Sequence, residues 1–365
     1  MPAQGGSKVE DLVVVGGGVI GLSCAWRAAQ AGWHVTLRDP APASGSSWVA
    51  GGMLAPVTEA WPGEEGLLEL GLSSLELWPG FAEELSAAAG QPAGLHPEGT
   101  VVAATGSGDR AELDALATHL ARLGRPVERL SGRELRRLEP GLGPDVRGGL
   151  SVPGDLSVDN RALLAALRAA AEKAGVAVVE RAWAPGETAD DAAGTVLICA
   201  GAHSASLHPG LAGLVRPVKG EILRLTHRHG AFPVPTRTVR ALVDGRPVYL
   251  VPRPGGLVVG ATQSEHGFDT EPTVGGVRDL LRDAERILPG IAEYTLAEAA
   301  AGLRPGSPDN VPVLGRLDGR TLVATGHSRN GILLAPLTAR LVVGLLEGGS
   351  VPATVDPARF GRTGT

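Results

Sequence analysis

The strongest constraint on the fold lies near the start of the chain, where a mostly apolar segment runs directly into a glycine-rich turn. Residues 11–15 predict a strand, Gly16, Gly18 and Gly21 follow in the pattern GxGxxG, and residues 22–31 have helical spacing. In this setting the first glycine permits a tight turn, the second lets a phosphate approach the backbone, and the third lets the helix pack against the strand. The sequence therefore predicts a helix N-terminus that faces the pyrophosphate of a dinucleotide.

An acidic residue at the end of the second predicted strand supports this interpretation. Residues 33–37 predict a strand, and Asp39 lies 18 positions after Gly21. A carboxylate at this position can accept hydrogen bonds from both ribose hydroxyls and would repel a 2′-phosphate, which argues against NADP. The motif itself leaves both NAD and FAD open.

The segment that follows favours FAD over a nicotinamide cofactor. Residues 44–53 consist mainly of serine, glycine and other small residues. Such a loop can wrap a long, bent cofactor beside its pyrophosphate and isoalloxazine ring, whereas nicotinamide enzymes usually enter another helix at this point. A flexible surface loop is the alternative interpretation of these residues.

The order of predicted elements indicates an α/β fold, α+β overall, with a Rossmann-type FAD-binding domain built from discontinuous segments. Helical segments and buried strands continue to about residue 200, whereas residues 216–261 predict short strands separated by turns, which is typical of an antiparallel sheet. We therefore predict a FAD-binding domain of residues 1–85, 145–215 and 297–365 and a substrate-binding domain of residues 86–144 and 216–296.

Composition narrows the class of partner. The formal charge is −6, without a long basic run, so nothing indicates a nucleic-acid surface. The most apolar segment, 331–346, is broken by Pro336 and Arg340 and predicts no membrane span. The polar first ten residues lack a secretory core, which favours a cytoplasmic location. Two cysteines, Cys24 and Cys199, are too few for a disulfide framework or a structural zinc site, and no metal is expected.

An arginine in the last third of the chain stands in a constrained setting. Arg304 lies in the stretch AGLRPGSPD at 301–309, where the neighbouring glycines and prolines predict a stiff loop. A guanidinium fixed in this way can bind a carboxylate through two hydrogen bonds at a low cost in side-chain entropy. Arg304 is therefore our candidate for binding a substrate carboxylate. An exposed arginine without a role is the alternative in a chain with many arginines.

A second junction of strand, glycine and helix follows at residues 321–346. The predicted strand 321–324 runs through Gly326, His327 and Arg329 into an apolar helix. The N-terminus of that helix could direct its positive dipole end at the flavin edge where negative charge gathers on reduction. Arg329 could also reach the substrate. The alternative is that His327 and Arg329 are polar residues that pack within a loop.

Four stretches carry a family resemblance. They are PVKGE at 217–221, YLVPR at 249–253, and the segments 301–306 and 326–336. In order, and over nearly the whole chain, they resemble the glycine oxidases of thiamine biosynthesis in the D-amino-acid oxidase superfamily. The resemblance implies FAD-dependent oxidation of a small amino acid, glycine above all, with hydride transfer to flavin N5 and reoxidation by dioxygen. Because related enzymes are often tetramers, a homo-oligomer is expected by analogy.

The resemblance also implies roles for individual residues. Arg304 would bind the substrate carboxylate, Tyr249 would add a hydroxyl contact, and Arg329 would lie near both substrate and flavin. Together with the glycine motif, it predicts FAD contacts at Gly16, Gly18, Val19, Ile20, Gly21, Asp39, Ser46, Ser47, Gly51, Gly52, Met53, Ala184, His327, Ser328, Arg329, Asn330, Gly331, Ile332 and Leu333.

Three alternatives stay open. A D-amino-acid dehydrogenase would share the fold but pass electrons to an acceptor other than oxygen, and a sarcosine-type oxidase would often carry covalent flavin. A nucleotide-binding sensor would bind the cofactor without turnover. His203 and Gln263 depart from the residues that related enzymes often have, which leaves open the choice among glycine, sarcosine and small D-amino acids.

FAD is predicted to be held without a covalent bond, because neither cysteine is suitably placed to form one. Precipitation of the protein with acid should therefore release the flavin into the supernatant, where its absorbance is measured. Flavin colour that stays with the pellet would contradict this prediction.

Overall fold

The computed structural model describes residues 11–184 and 194–361 of the chain. Within these ranges the chain folds into three sheets and a set of covering helices. The helices are α1 (Val19–Gln30), α2 (Ser46–Val49), α3 (Glu65–Ala89), α4 (Ser107–Arg122), α5 (Gly132–Leu138), α6 (Asn160–Lys173), α7 (Val274–Ile287) and α8 (Gly331–Leu346). The strands are β1 (Asp11–Val15), β2 (His34–Arg38), β3 (Met53–Leu54), β4 (Leu95–His96), β5 (Thr100–Ala104), β6 (Glu128–Ser131), β7 (Gly148–Val152), β8 (Leu156–Val158), β9 (Ala177–Val179), β10 (Thr195–Ile198), β11 (Arg216–Thr226), β12 (Thr238–Val243), β13 (Arg246–Arg253), β14 (Gly256–Gly260), β15 (Thr295–Gly306), β16 (Val313–Arg316) and β17 (Thr321–Thr325).

The first sheet has the parallel arrangement that the glycine motif predicts. Its strand order is β16-β17-β10-β1-β2-β9, and the strands from β17 to β9 are parallel, with β16 antiparallel at one edge. Helices α1, α3, α6 and α8 share one hydrophobic core with these strands, in which Trp26 and Trp78 are fully buried. The mixed α/β fold class predicted from the sequence is confirmed.

The second sheet has eight strands in the order β15-β11-β14-β13-β12-β5-β7-β6, and its pairs are antiparallel except β12 with β5. Helix α7 packs on one face through Leu280, Ala284 and Ile287. Val49 of α2 packs with Ile222 and Val258 of the sheet. The second sheet therefore lies against the Ser/Gly-rich segment that follows β2. A small third sheet has the strand order β3-β8-β4, with antiparallel pairs.

Two strands pair differently from what the predicted domain ranges suggest, and the division into domains itself stays a prediction. The prediction assigned residues 145–215 and 297–365 to the FAD-binding part. However, β7 pairs with β5 and β6 in the second sheet, and β15 pairs with β11 along its whole length. Both strands are rich in glycine and alanine, so their local pattern is weak, and their partners lie far away in the sequence.

Helix α8 shows how composition can mislead. The segment Ser328–Leu346 is long and apolar enough to resemble a membrane span. However, 67% of its most apolar 18-residue stretch is buried within the protein. Ser74 Oγ and Trp78 Nε1 of α3 donate hydrogen bonds to the Leu333 carbonyl oxygen at 2.6 and 2.9 Å. The apolar sequence of α8 therefore reflects a core helix.

Gly21 provides a test of the packing between α1 and β1. A Cβ atom at this position would overlap the carbonyl oxygen of Gly16. Gly21→Ala should therefore lower Tm by several degrees or prevent folding, as followed by circular dichroism on heating. Gly80→Ala is the control, because Gly80 is exposed on α3 with no heavy atom within 4 Å of an added Cβ, and alanine favours helix. Equal Tm values for the two variants would refute the packing argument.

A buried carboxyl group in the turn before β8 predicts a dependence of stability on pH. Asp155 is 0% exposed, and its Oδ2 accepts a hydrogen bond from Thr58 Oγ1 at 3.0 Å. Burial raises the pKa of Asp155 from its ordinary value of 3.8 to about 7. Between these values the unfolded chain loses this proton while the folded protein keeps it, so the group's contribution to stability falls as pH rises through this window.

Asp155→Asn should remove that decline, since the amide keeps the shape and has no proton to lose. The difference in Tm between variant and wild type should grow in favour of the variant from pH 4 to pH 7, as measured by calorimetry. Asp145→Asn, at an exposed position, is the control and should follow the wild type. A constant difference for Asp155→Asn would show that Asp155 is ionised in the folded protein across this range.

Candidate active site

The turn between β1 and α1 has the geometry of a phosphate-binding site. Gly16 has a φ of +108°, and Gly18 is the N-cap of α1 in an extended conformation, without a capping side chain. Ser47 Oγ accepts a hydrogen bond from the Val19 amide at 3.1 Å and so joins the Ser/Gly segment to this helix. Because Gly18 supplies no cap of its own, the positive end of α1 can face an anion.

Asp39 lies immediately after β2, beside the same turn. Its Oδ2 accepts a hydrogen bond from the Gly17 amide at 2.6 Å, and its Oδ1 accepts one from the Ala41 amide at 2.7 Å. These bonds fix the carboxylate, and each oxygen keeps a second lone pair for a hydroxyl donor. The position fits the ribose contact that the sequence predicts.

Two side chains that the sequence analysis missed hold the Ser/Gly segment: Asn160 at the start of α6 and Arg253 of the second sheet. The buried Asn160 donates through Nδ2 to the carbonyl oxygens of Ser47 and Trp48, at 2.8 Å each. Arg253 Nη2 donates to the Gly51 carbonyl oxygen at 2.6 Å, and burial lowers the pKa of Arg253 to about 10. Arg253 is the last residue of the YLVPR stretch, and that was the one signal that could have identified it. These three bonds hold residues 46–53 in one conformation.

The second sheet presents a row of residues to this segment. Val49 packs with Tyr249, and the Tyr249 ring lies so close to Gly51 that a Cβ there would come within 2.7 Å of Cε2. A side chain at Gly260 would overlap the same ring. Residues that pair directly across strands share a face of the sheet. The row, from β12 to β15, is Arg240, Tyr249, Gly260, Ile222 and Ala300.

Arg304 lies within strand β15, and the predicted stiff loop is wrong. Strand β15 pairs with β11, where Val218 is opposite Arg304. The Arg304 Nη1 donates to the carbonyl oxygen of Thr262 at 3.2 Å, and the guanidinium occupies the space over Gly220. Glycine and proline near Arg304 are typical strand breakers, but pairing with a long neighbouring strand overrides that preference. The backbone of Arg304 is therefore held by the sheet.

Tyr249 and Arg304 lie within electrostatic reach of each other. Burial raises the pKa of Tyr249, the positive charge of Arg304 opposes that rise, and the negative charge of Glu59 adds to it. The hydroxyl therefore stays protonated at neutral pH and can donate a hydrogen bond. A guanidinium and a phenol on one sheet face can together bind one carboxylate.

Arg329 lies in a group of four charges just before α8. Its Nη2 is 2.7 Å from Glu64 Oε2, and its Nε is 3.4 Å from Glu59 Oε2. Glu59 Oε1 also accepts from Arg240 Nη1 at 2.9 Å. We call Glu59, Glu64, Arg240 and Arg329 the Arg329 cluster. No motif in the sequence identified Glu59, Glu64 or Arg240, because their pairing joins segments far apart in the chain.

The predicted cofactor segment from His327 to Leu333 consists of the four residues before α8 and the first three residues of α8. His327 is buried, its Nε2 is 3.0 Å from Thr338 Oγ1, and burial lowers the pKa of His327 to about 3. The ring is therefore neutral. Asn330 is the N-cap of α8 but makes no side-chain capping bond, so α8 is a second helix whose positive end can face an electron-rich group.

Two further predictions concern the adenine contact of Ala184 and metal binding. Ala184 is exposed and precedes residues 185–193, which lie outside the described ranges, so its predicted adenine contact stays a prediction. Among the described residues, no group of three or more His, Cys, Asp or Glu side chains could hold a metal ion. The uncapped N-termini of α1 and α8, the fixed Asp39 and the Ser/Gly segment fit a dinucleotide that extends from β1 to the second sheet.

Comparison with known proteins also indicates a dinucleotide cofactor, FAD. A family model described as FAD dependent oxidoreductase matches residues 11–345. The glycine oxidase of Geobacillus kaustophilus is 35% identical over 356 residues, which is 92% of this chain and 93% of that protein. A Rhizobium etli protein that is provisionally named a thiamine biosynthesis oxidoreductase is 34% identical over 331 residues, 90% of this chain and 94% of its own.

Two solved structures are similar over nearly the whole fold. The crystal structure of the Geobacillus kaustophilus enzyme superimposes with a TM-score of 0.84 and covers 94% of this chain and 96% of that one. An iminodiacetate oxidase from Chelativorans sp. gives a TM-score of 0.82 at 26% identity, and the match covers 95% of this chain and 99% of that one. The extent of these matches, together with a site that fits a dinucleotide, shows that this chain belongs to the DAO family of FAD-dependent oxidoreductases.

Proposed function

We propose that the protein catalyses the oxidative deamination of glycine, and of small relatives such as sarcosine and D-alanine, with FAD as cofactor. The observation that supports this most directly is the placement of Arg304 and Tyr249 on the sheet face that lies against the Ser/Gly segment. A relative that is similar over nearly its whole length is named a glycine oxidase. The overall reaction takes glycine, dioxygen and water to glyoxylate, ammonia and hydrogen peroxide.

In this proposal, Arg304 binds the substrate carboxylate and Tyr249 adds a hydrogen bond from its hydroxyl. Strand pairing fixes the Arg304 backbone, and the carbonyl oxygen of Thr262 orients its guanidinium. Because Tyr249 stays protonated, it donates to the carboxylate. These two contacts place the α-carbon at one defined position, and such positioning accounts for a large part of the rate when a cofactor carries the chemistry.

The cofactor would lie between the two sheets. The N-terminus of α1 and Asp39 would hold the pyrophosphate and ribose, residues Ser46, Ser47 and Gly51–Met53 would line the middle, and the start of α8 would face the flavin. When bound, FAD supplies the acceptor for the α-hydride and is reoxidised by dioxygen. The close contact of Tyr249 with Gly51 leaves no space between the ring and this part of the segment.

We further infer a place for the reaction in the cell. The first sheet would form the FAD-binding part and the second sheet the substrate-binding part of a cytoplasmic homo-oligomer. The provisional name of the Rhizobium etli relative supports a role in supplying the glycine imine for thiazole formation in thiamine biosynthesis. Electron transfer to a quinone is the second candidate, because the fold alone does not determine the acceptor.

Arg304→Ala should raise the KM for glycine by about a hundredfold, because it removes a charge-assisted contact to the substrate. The FAD-loaded protein should stay yellow, since Arg304 does not form part of the predicted cofactor site. The assay follows hydrogen peroxide with dioxygen as the sole acceptor. Arg216→Ala, an exposed arginine at the start of the neighbouring strand β11, is the control and should behave like wild type.

Three outcomes would contradict parts of the proposal. An unchanged KM in Arg304→Ala would remove Arg304 from the substrate site. Turnover with a quinone but without peroxide formation would favour a dehydrogenase. A bound flavin that no small amino acid bleaches under anaerobic conditions would favour a sensor.

A further inference from the structure

The Arg329 cluster lies beside the proposed substrate site, and its charges compensate one another. Arg329 contacts the carboxylates of both Glu59 and Glu64, and Arg240 contacts Glu59 from the second sheet. The side chains of Glu59, Glu64 and Arg329 are 15%, 19% and 28% exposed. In such partly buried surroundings the ion pairs are screened less than at the surface. The positive charge of Arg329 is therefore already paired with two carboxylates before any substrate binds.

The position of the cluster places its negative charges near the substrate. Glu59 and Glu64 line a small cavity together with Asn330 and Leu333, at the start of α8. On the other side, Arg240 pairs across strands with Tyr249, and the Tyr249 hydroxyl is within reach of the charge of Glu59. Glu59 therefore lies between the predicted flavin segment and the proposed substrate-binding tyrosine, and Glu64 lies next to it on the side of Arg329.

We propose that Glu59 and Glu64 select for amines that carry a single carboxylate and against amines with a second one. This inference rests on the proposed function, in which Arg304 binds the first carboxylate. A second carboxylate near Arg329 would have to displace Glu59 or Glu64 and leave a largely buried carboxylate without its partner, which is costly. Repulsion by the displaced glutamate adds to that cost and so creates specificity against the wrong substrate.

Two pairs of compounds isolate the effect of one carboxylate. Iminodiacetate is sarcosine with a carboxylate added to its N-methyl carbon, and both are amines. Diglycolate and methoxyacetate are the corresponding ethers; they have no amine to oxidise and so serve as probes of binding alone. Iminodiacetate is also the compound in the name of one structural relative, so a dicarboxylate amine is chemically compatible with this fold.

The experiment compares FAD-loaded wild type with Glu59→Gln and Glu64→Gln. In either variant, the ratio of kcat/KM for iminodiacetate to that for sarcosine should rise about tenfold, since one opposing charge is removed at close range. The Kd of diglycolate relative to methoxyacetate, read from the shift of the flavin spectrum, should fall by a similar factor. Two variants are used so that misfolding of one does not decide the result.

Glu69→Gln is the matched control. Glu69 lies on the exposed side of α3 and pairs with Arg125 at 3.6 Å. Its replacement by glutamine removes the same charge without altering a contact of Arg329. Both ratios should stay at the wild-type value in this variant. A structural role for Glu59 would weaken both members of each pair equally, so unchanged ratios in well-folded Glu59→Gln and Glu64→Gln would overturn the inference.

The failure of this inference can be told apart from failure of the proposed function. If wild type oxidises neither glycine nor sarcosine, the proposed function is wrong, but the two ethers still measure discrimination by charge. If glycine is oxidised and the ratios do not move, only the selective role of Glu59 and Glu64 is wrong.

Discussion

The candidate site depends on the close approach of the second sheet to the Ser/Gly segment. Glycines make this approach possible: Tyr249 lies against Gly51, and a Cβ at Gly302 would come within 3.1 Å of Val49 Cβ. Side chains at these positions would separate the two parts and move Arg304 and Tyr249 away from the cofactor segment. The site therefore owes its position to residues that carry no functional group of their own, and even one added methyl group would disturb it.

Buried polar side chains hold this contact in one arrangement. Asn160 Nδ2 donates to the carbonyl oxygens of Ser47 and Trp48, and Arg253 Nη2 donates to that of Gly51. Burying such groups is unfavourable unless each one is bonded, so the bonded arrangement excludes slightly shifted alternatives. The same logic governs the Arg329 cluster, where paired charges determine which further charge the site accepts. The position of the site and its proposed selectivity thus both depend on the free-energy cost of burying a polar or charged group without a partner.

Local sequence predicted some elements well and others poorly, for identifiable reasons. The turn from Gly16 to Gly21 and the start of helix α1 follow from short-range rules, because the residues that form them are neighbours in the chain. Arg304 was predicted to lie in a loop but lies in strand β15, because its neighbours Gly302 and Pro305 are locally unfavourable in a strand. The membership of β7 in the second sheet could not be predicted, because it depends on pairing with a distant strand.

The sequence by itself determined the class of cofactor site and, through its resemblance to a known family, made Arg304 and Tyr249 the candidates for substrate binding. Both conclusions rest on motifs whose physical meaning is contained in a few consecutive residues. Only the tertiary structure decided that Arg329 is engaged by Glu59 and Glu64 and that Asn160 and Arg253 fix the Ser/Gly segment. Those contacts join residues that lie up to 270 positions apart, and Coulomb attraction and hydrogen bonding depend on distance in space.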